Sequence, residues 1–417
     1  MTQDAADIIA GVRAQIPHPL PERLGVAVSG GSDSVALLHI LHRALTPEGV
    51  QLYAVTVDHG LRAASAAEAE GVAALATGLG LSHDILHWAE GPGAGNLQDQ
   101  ARQARYGLLR DWASSKGIAA LALGHTADDQ AETVLMRLTR ASGVDGLSAM
   151  SAVRQVEDLT LLRPLLSLRR ADLRDYLRAE GVPWVDDPSN EDRRFDRVRL
   201  RQALPMLEEL GLSVEALSLV AKNLQQARQT LDHYALSAAQ EGFSFQAGAV
   251  AVERAYFAGL PNEIAHRLLR AALQWVSGGT YPPRRAPMMA ALETARTGGS
   301  ATLAGGRILC RRGRVWICRE AQAVRGQIAE VGQVWDGRWE ISCVKTDDCK
   351  VRALGAEGLQ LCPDWRETGL PGPVLEVTPA LWRGADLVAA PLVRPAPGCT
   401  AELTCGEEEF FASFLSH

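Results

Sequence analysis

A chain of 417 residues is too long for one ordinary hydrophobic core, and 47% hydrophobic with 22% charged residues at a mean hydropathy of −0.04 exclude both wholesale disorder and a coiled rod. No run approaches the roughly 18 apolar residues of a membrane span, and the acidic opening MTQDAADIIAGVRAQ is unlike a secretory leader, so a cytoplasmic protein without membrane attachment is expected. The net charge of −7 argues only mildly against a nucleic-acid partner, because residues 264–320 hold ten Arg against two Glu, whereas residues 321–417 hold eight bases against fourteen acids.

The opening segment reads as an amphipathic helix with Ile8, Ile9, Val12 and Ile16 inward. Four apolar runs follow, LGVAV, LYAVTV, DILHW and IAALAL, each trailed by a helical pattern. That alternation predicts an α/β domain, a parallel sheet with helices on both faces. The helix from Asn96 to about Lys116 is expected to bury Leu97, Ala101, Ala104, Leu108 and Trp112, leaving Arg102 and Arg105 on another face. After LLRPLL (Leu161 to Leu166) come a helix from about Arg169, the turn-rich DDPSNED, and an arginine-dense segment holding Arg193, Arg194, Arg197, Arg199 and Arg201. A first boundary is placed near residue 205. Residues 206–325 then read as a mainly helical domain ending in the hairpin RILCRR, Gly313, RVWICRE, and residues 326–417 as a small strand-rich domain. All seven cysteines lie between Cys310 and Cys405 without a C-x-x-C pair, so neither a disulfide framework nor a zinc ribbon is expected.

Three elements carry chemistry. Ser29, Gly30, Gly31, Ser32, Asp33 and Ser34 sit between the first strand and the helical run VALLHILHRAL. Glycines let backbone approach an anion, hydroxyls donate, and a helix N-terminus adds unpaired N–H groups and a favourable dipole. The arrangement reads as a phosphate cradle that lacks the Lys of a Walker A loop and the spacing of a dinucleotide fingerprint; a plain capped turn is the alternative. Second, VDHGLR places Asp58, His59 and Arg62 at a strand's carboxyl end, where ligands gather in open α/β sheets; polar residues that merely close a strand are an equal reading. Third, GHTADDQAET offers Thr126 and Asp129 as a capping box and puts Asp128, Asp129 and Glu132 at helical spacing, where like charges repel unless a cation or amine relieves them.

SGGSDS resembles the loop of the PP-loop ATP pyrophosphatases, which holds the phosphates of ATP during adenylation. With VDHGLR, RQARY, GHTADDQAET, SGVDGLSAM, LLRPLL and VDDPSNED in order over residues 24–201, the chain is similar to the bacterial tRNA(Ile)-lysidine synthetase family. Weaker likeness continues in TLAGGRILCRRGRVWICRE and VRALGAEGL. The resemblance implies a ligase that uses ATP and Mg²⁺ to adenylate O2 of cytidine 34 in CAU-anticodon tRNA(Ile), after which free lysine displaces AMP from C2. It implies catalytic roles for Asp33, Asp129 and Glu132, metal binding by Asp33 and Asp129, and substrate binding by Asp58, His59, Arg62, Arg105, His125, Asp128, Arg197 and Arg201. The Arg193 to Arg201 cluster is expected to reach tRNA phosphates, a solvated helix face being the alternative. One departure is visible: the family's Arg-Asn pair is here Arg197 followed by Val198. In the second domain, Arg284, Arg285, Arg311, Arg312 and Arg314, with Tyr281 and Trp316 nearby, suit an RNA backbone; the two aromatics fit a stacking or a core role equally. A homodimer is compatible with all of this.

The nearest rivals are tRNA thiolation enzymes and small-molecule adenylating amidotransferases. The first use catalytic cysteines or an iron–sulfur cluster, and no Cys precedes residue 310. The second need no extended cationic surface. A silent nucleotide-binding RNA module would differ from all of them in releasing no pyrophosphate.

Overall fold

The computed structural model describes residues 5–58, 60, 65–89, 91, 97–186, 196–279, 283–343 and 348–415, which fall into two compact units, Met1–Arg228 and Gln229–Ser416. The first is the expected α/β domain. Its strands β1 (Arg23–Ala27), β2 (Gln51–Asp58), β3 (Ser82–His87), β4 (Ala120–Leu123), β5 (Val153–Val156) and β6 (Leu159–Leu162) lie in the order β3-β2-β1-β4-β6-β5. All neighbouring pairs are parallel except β5–β6, which the sequence reading did not resolve: its hairpin turns at Glu157, with φ of 52°. Between the strands run α1 (Ala5–Arg13), α2 (Ser32–Leu45), α3 (Ser65–Gly78), α4 (Leu97–Ser115), α5 (Ala127–Leu138) and α6 (Val144–Leu147), followed by α7 (Arg170–Glu180), α8 (Asp196–Glu209) and α9 (Val214–Gly242).

The strands are apolar throughout because both sheet faces are covered. On one side Ile8 and Val12 of α1, Leu37 and Leu41 of α2 and Leu173 and Leu177 of α7 pack with Leu24, Val26 and Leu162. On the other, Leu109, Trp112 and Ala113 of α4 pack with Val55, Leu121 and Leu161. Each fully buried leucine here contributes about 1.5–3 kcal/mol of apolar transfer. Strand order reverses between β1 and β4, and such a switch point opens a crevice at the strands' carboxyl ends. The two loops that leave those ends are SGGSDS and GHTADD.

Packing carries the first compact unit past the expected boundary near 205. Leu204 of α8 and Val214, Leu217 and Ala221 of α9 pack with Ala127, Ala131, Val134 and Leu135 of α5, so the first unit extends to Arg228, inside α9. The second unit holds both of the remaining predicted domains. Strands β7 (Phe243–Gln246), β8 (Ala249–Glu253), β9 (Ser300–Leu303), β10 (Gly306–Arg311) and β11 (Arg314–Arg319) form an antiparallel sheet ordered β7-β8-β11-β10-β9. It packs with helices 262–277 and 285–297 through Leu268, Leu292, Ile308 and Ile317. The expected hairpin is present, with Leu309 opposite Trp316 and Arg311 opposite Arg314. Trp316 lies in a core shared with Trp335 and Trp339, which settles its reading in favour of packing; Tyr281 lies outside the described residues. Two small antiparallel sheets complete the unit. The cysteine expectation needs correction: Cys343 and Cys399 form a disulfide, because two strands separated by 56 residues in sequence place them directly opposite each other. Cys310, Cys318, Cys349, Cys362 and Cys405 take no part in a disulfide.

Candidate active site

The chain leaves β1 through Ser29 and enters α2 at Ser32. Gly30 takes φ of +86°, a left-handed conformation that side chains disfavour. Gly31, the residue before the helix, offers no side-chain cap, so the first N–H groups of α2 are not claimed by a capping side chain. Ser34 organises the loop: its hydroxyl accepts from the Ser29 backbone N–H at 3.0 Å, donates to the Gly31 carbonyl at 3.0 Å and lies 3.2 Å from Ser29 Oγ. Segment 182–186 runs against the loop, Val185 N–H donating to the Gly30 carbonyl at 2.9 Å. The second loop approaches closely from β4. A Cβ added at Gly124 would meet Ser34 Cα at 3.0 Å and the Asp33 carbonyl at 3.1 Å, so only glycine lets the two loops touch without a shift.

Thr126 caps α5 as the sequence predicted. Asp129 Oδ2 accepts from Thr126 N–H at 2.9 Å and Thr126 Oγ1 at 3.0 Å, while Asp129 N–H reaches Thr126 Oγ1 at 3.4 Å. Asp128 accepts the Arg170 backbone N–H at 2.7 Å. Asp129 and Glu132 turn inward, and Glu132 has no exposed surface.

The charge that relieves these acids comes from the chain itself. Arg170, the first residue of α7, places Nε 2.8 Å from Asp33 Oδ2, Nη2 3.4 Å from Asp129 Oδ1 and Nη1 3.7 Å from Glu132 Oε1. Arg201 Nε lies 2.8 Å from Glu132 Oε1. Arg197 Nε lies 2.8 Å from Glu132 Oε2, close enough for an ion pair but misaligned for a hydrogen bond, and its Nη2 is 3.8 Å from Asp129. Three guanidinium groups thus face three carboxylates. Burial disfavours the Asp129 anion, yet Arg170, Arg197 and the Thr126 N–H outweigh it and hold its carboxyl below the usual range. Burial likewise opposes the Arg170 cation, and Asp33 and Asp129 raise it above its ordinary value. One turn on, Arg174 donates to Ser32 Oγ at 3.3 Å and pairs with Asp186 at 2.6 Å, so α7 directs two arginines at the loop.

Beside Asp129 lies His125. Burial drives its imidazole down to about 4, with Arg163, Arg197 and Arg102 adding to the shift and Asp129 opposing it, so the ring is neutral near pH 7. Its buried Nδ1 has no hydrogen-bond partner among the described residues. Arg105 on α4 is an exposed residue whose guanidinium is nonetheless enclosed enough, and near enough to Arg102 and Arg197, to fall below its ordinary value. Arg163 of LLRPLL is buried and donates to the Ser151 carbonyl at 2.9 Å. Arg102, Arg163 and Arg197 thus lie within electrostatic reach of His125, and Arg105 within reach of Arg102 and Arg197.

Asp58 closes β2, accepting the Gly60 N–H at 2.8 Å and lying 3.6 Å from His87 Nδ1; His59 and Arg62 lie outside the described residues, as do Arg193 and Arg194. Arg197 and Arg201, expected at tRNA phosphates, both pair with Glu132 here, because a four-residue spacing puts them on one face of α8 while Arg199 pairs with Asp196 on another. Val198 is buried on the same helix, so no polar contact is made there. The sequence reading missed Arg170, Arg174 and Gly124. The available signal was charge balance: SGGSDS and GHTADDQAET contain four acids and no Lys or Arg, and the helix predicted after LLRPLL opens at Arg169 and Arg170.

A serine- and glycine-lined cradle at the switch point of a mostly parallel sheet defines a PP-loop nucleotide-using domain, and a family model described as a PP-loop domain matches residues 9–207. The likeness to characterised proteins extends past that domain. The chain belongs to the tRNA(Ile)-lysidine synthase family. It is 51% identical over its whole length to all of the tRNA(Ile)-lysidine synthase of Ruegeria pomeroyi. It is 43% identical to that of Methylobacterium nodulans over 69% of this chain and 85% of the relative, and 41% identical to that of Hyphomonas neptunium over 72% and 83%.

Proposed function

We propose that the protein ligates free lysine to C2 of cytidine 34 in a CAU-anticodon tRNA(Ile), consuming ATP and releasing AMP and pyrophosphate. The observation that carries this reading is the meeting, through Arg170, of Asp33 from the phosphate loop with Asp129 and Glu132 from the second loop, in a chain similar along its full length to synthases of that name. A polyphosphate needs the first element, and a lysine ammonium needs the second.

Two substitutions compose the reaction. The cytosine O2 attacks the α-phosphorus of ATP, the bond to the bridging oxygen breaks and pyrophosphate leaves. The uncharged ε-amine of lysine then attacks C2, the C2–O2 bond breaks, AMP leaves with its oxygen, and the amine gives up a proton. The Ser29–Ser34 loop and the first turn of α2 hold the polyphosphate; Arg174, on Ser32, steadies the loop. Asp33 and Asp129 supply hard oxygen donors without a full protein cage, which suits Mg²⁺; held there, the ion would supply charge neutralisation to the polyphosphate. Asp129 and Asp128 orient the lysine ammonium. His125, held neutral, offers an unpaired ring nitrogen as acceptor to the substrate base. Arg105 and the neighbouring cations face the ribonucleotide, and the exposed Arg284, Arg285, Arg311 and Arg312 of the second unit face the tRNA backbone.

The test combines ATP, Mg²⁺, lysine and CAU-anticodon tRNA(Ile). AMP, pyrophosphate and a tRNA heavier by one lysine residue are expected, with no pyrophosphate when tRNA is withheld. Asp129→Asn should abolish product with the circular dichroism spectrum unchanged; full activity in that variant removes Asp129 from the mechanism, and pyrophosphate release without tRNA replaces the reading with a small-molecule amidotransferase.

A further inference from the structure

The acids proposed to meet Mg²⁺ and lysine already hold a cation. Arg170 gives Asp33 a hydrogen bond of 2.8 Å, but its approaches to Asp129 and Glu132, at 3.4 and 3.7 Å, are electrostatic contacts longer than a good hydrogen bond. Glu132 would remain compensated without it, since Arg197 and Arg201 each lie 2.8 Å away. Asp33 differs. Apart from Arg170, its described side-chain partner is the Ser32 hydroxyl at 3.1 Å. Asp33 also stands in the first turn of α2, immediately after the loop, so a polyphosphate in that loop brings several negative charges within a side chain's reach of the guanidinium. Arg174, one turn along α7, already touches the loop at Ser32, which shows that this helix face addresses it.

We propose that Arg170 is a positioning residue that stands in for the substrate's ammonium: it keeps Asp33 and Asp129 occupied until bound nucleotide draws its guanidinium to the polyphosphate, so lysine binds after ATP. The proposal rests on the reading of these acids as the lysine site. No bond forms or breaks; the guanidinium's ion pairs are exchanged for those of the cations that arrive with the substrates, Mg²⁺ at Asp33 and Asp129 and the lysine ammonium beside Asp129. Repulsion between two cations excludes lysine from the closed arrangement. By linkage, lysine must tighten nucleotide by the same factor by which nucleotide tightens lysine.

The experiment measures radiolabelled lysine by equilibrium dialysis against the full-length protein, with and without a non-hydrolysable ATP analogue and Mg²⁺. The wild type should bind lysine at least about tenfold more tightly with the analogue, within the usual 5- to 150-fold range of coupling between sites. Arg170→Met removes the charge and keeps the stem; its coupling factor should fall to about one, through a gain in lysine affinity without nucleotide. If that variant does not fold, Arg170→Lys decides: a single ammonium cannot span the carboxylates as a guanidinium does, and the factor should fall at least about threefold. A wild type that binds lysine equally with and without the analogue overturns the proposal, as does a folded variant that keeps the wild-type factor. Either result with normal lysidine formation leaves the ligase reading intact, whereas absence of lysidine under complete conditions overturns that reading first.

Discussion

Arg201 Nε lies 2.8 Å from Oε1 of Glu132, a carboxylate with no solvent-exposed surface. Arg197, one turn earlier on α8, meets the other oxygen at 2.8 Å. A buried charge so enclosed orders the elements around it, here α5, α7 and α8, and makes Glu132 an organiser of the site as much as a participant. Replacing it by Ala leaves three guanidinium groups facing two carboxylates. Breaking one side of a buried ion pair typically costs about 3–5 kcal/mol. Glu132→Ala should therefore lower the urea midpoint by that equivalent, and Glu132→Gln, which keeps the shape, by less; unchanged midpoints in both would show that the cluster does not stabilise the fold.

Contact between the two loops gives a second prediction. A methyl group at residue 124 sits 3.0 Å from Ser34 Cα and 3.1 Å from the Asp33 carbonyl, backbone atoms that move only with the start of α2. Overpacking of this kind costs about 1–3 kcal/mol. Gly124→Ala should weaken ATP at least tenfold by titration calorimetry, because the displaced turn is the one that faces phosphate. Unaltered ATP affinity would place the nucleotide away from this loop.

The parallel sheet was legible because strands covered on both faces are apolar without interruption, and the Thr126 cap because its partner lies three residues away. The acid cluster's partners were not. Arg170, Arg197 and Arg201 come from helices 41 or more residues beyond Asp129, and nothing local distinguishes an arginine that turns toward Glu132 from one that faces solvent. The same holds for Cys343 and Cys399, which only strand register brings together. The packing that continues past residue 205 was hidden for a related reason: α8 reads as a surface helix until Leu204 is seen against α5.

Protonation of His125 gives a pH prediction. Its folded value of about 4 lies below the ordinary value of 6.5, so the unfolded chain binds a proton that the folded chain refuses. Stability is unaffected above pH 6.5, declines as pH falls below it, and stops declining from this cause near pH 4. Burial lowers His39 and His83 too, so they add to the same slope. Subtracting the profile of His125→Gln isolates the residue: between pH 6.5 and 4 the variant should lose less stability in denaturant titrations than the wild type. Asp129, whose carboxyl is held low, acts in a separate window, its contribution being lost only as pH falls below the ordinary carboxylate value of 3.8. Parallel profiles for wild type and His125→Gln would mean that the ring is protonated in the folded protein.

The hairpin of β10 and β11 carries Arg311 and Arg312 exposed at its turn, with Arg314 half-buried beside them. None of the three has an ion-pair partner among the described residues, in contrast to Arg267, which is buried against Asp232, and Arg319, which is paired with Asp336. Arginines left unpaired at a turn lose little on desolvation and gain counterion release when they meet phosphate. Each phosphate contact removed should reduce the slope of log K against log salt by about one. The double variant Arg311→Ala, Arg312→Ala should therefore bind tRNA more weakly at low salt, with a slope shallower by about two, while its affinity for ATP and its melting temperature stay at the wild-type values. Removing Arg319 instead should cost stability and leave the salt slope unchanged, since its charge is already spent on Asp336. A double variant whose tRNA affinity and salt slope both match the wild type would take this turn out of the RNA-binding surface.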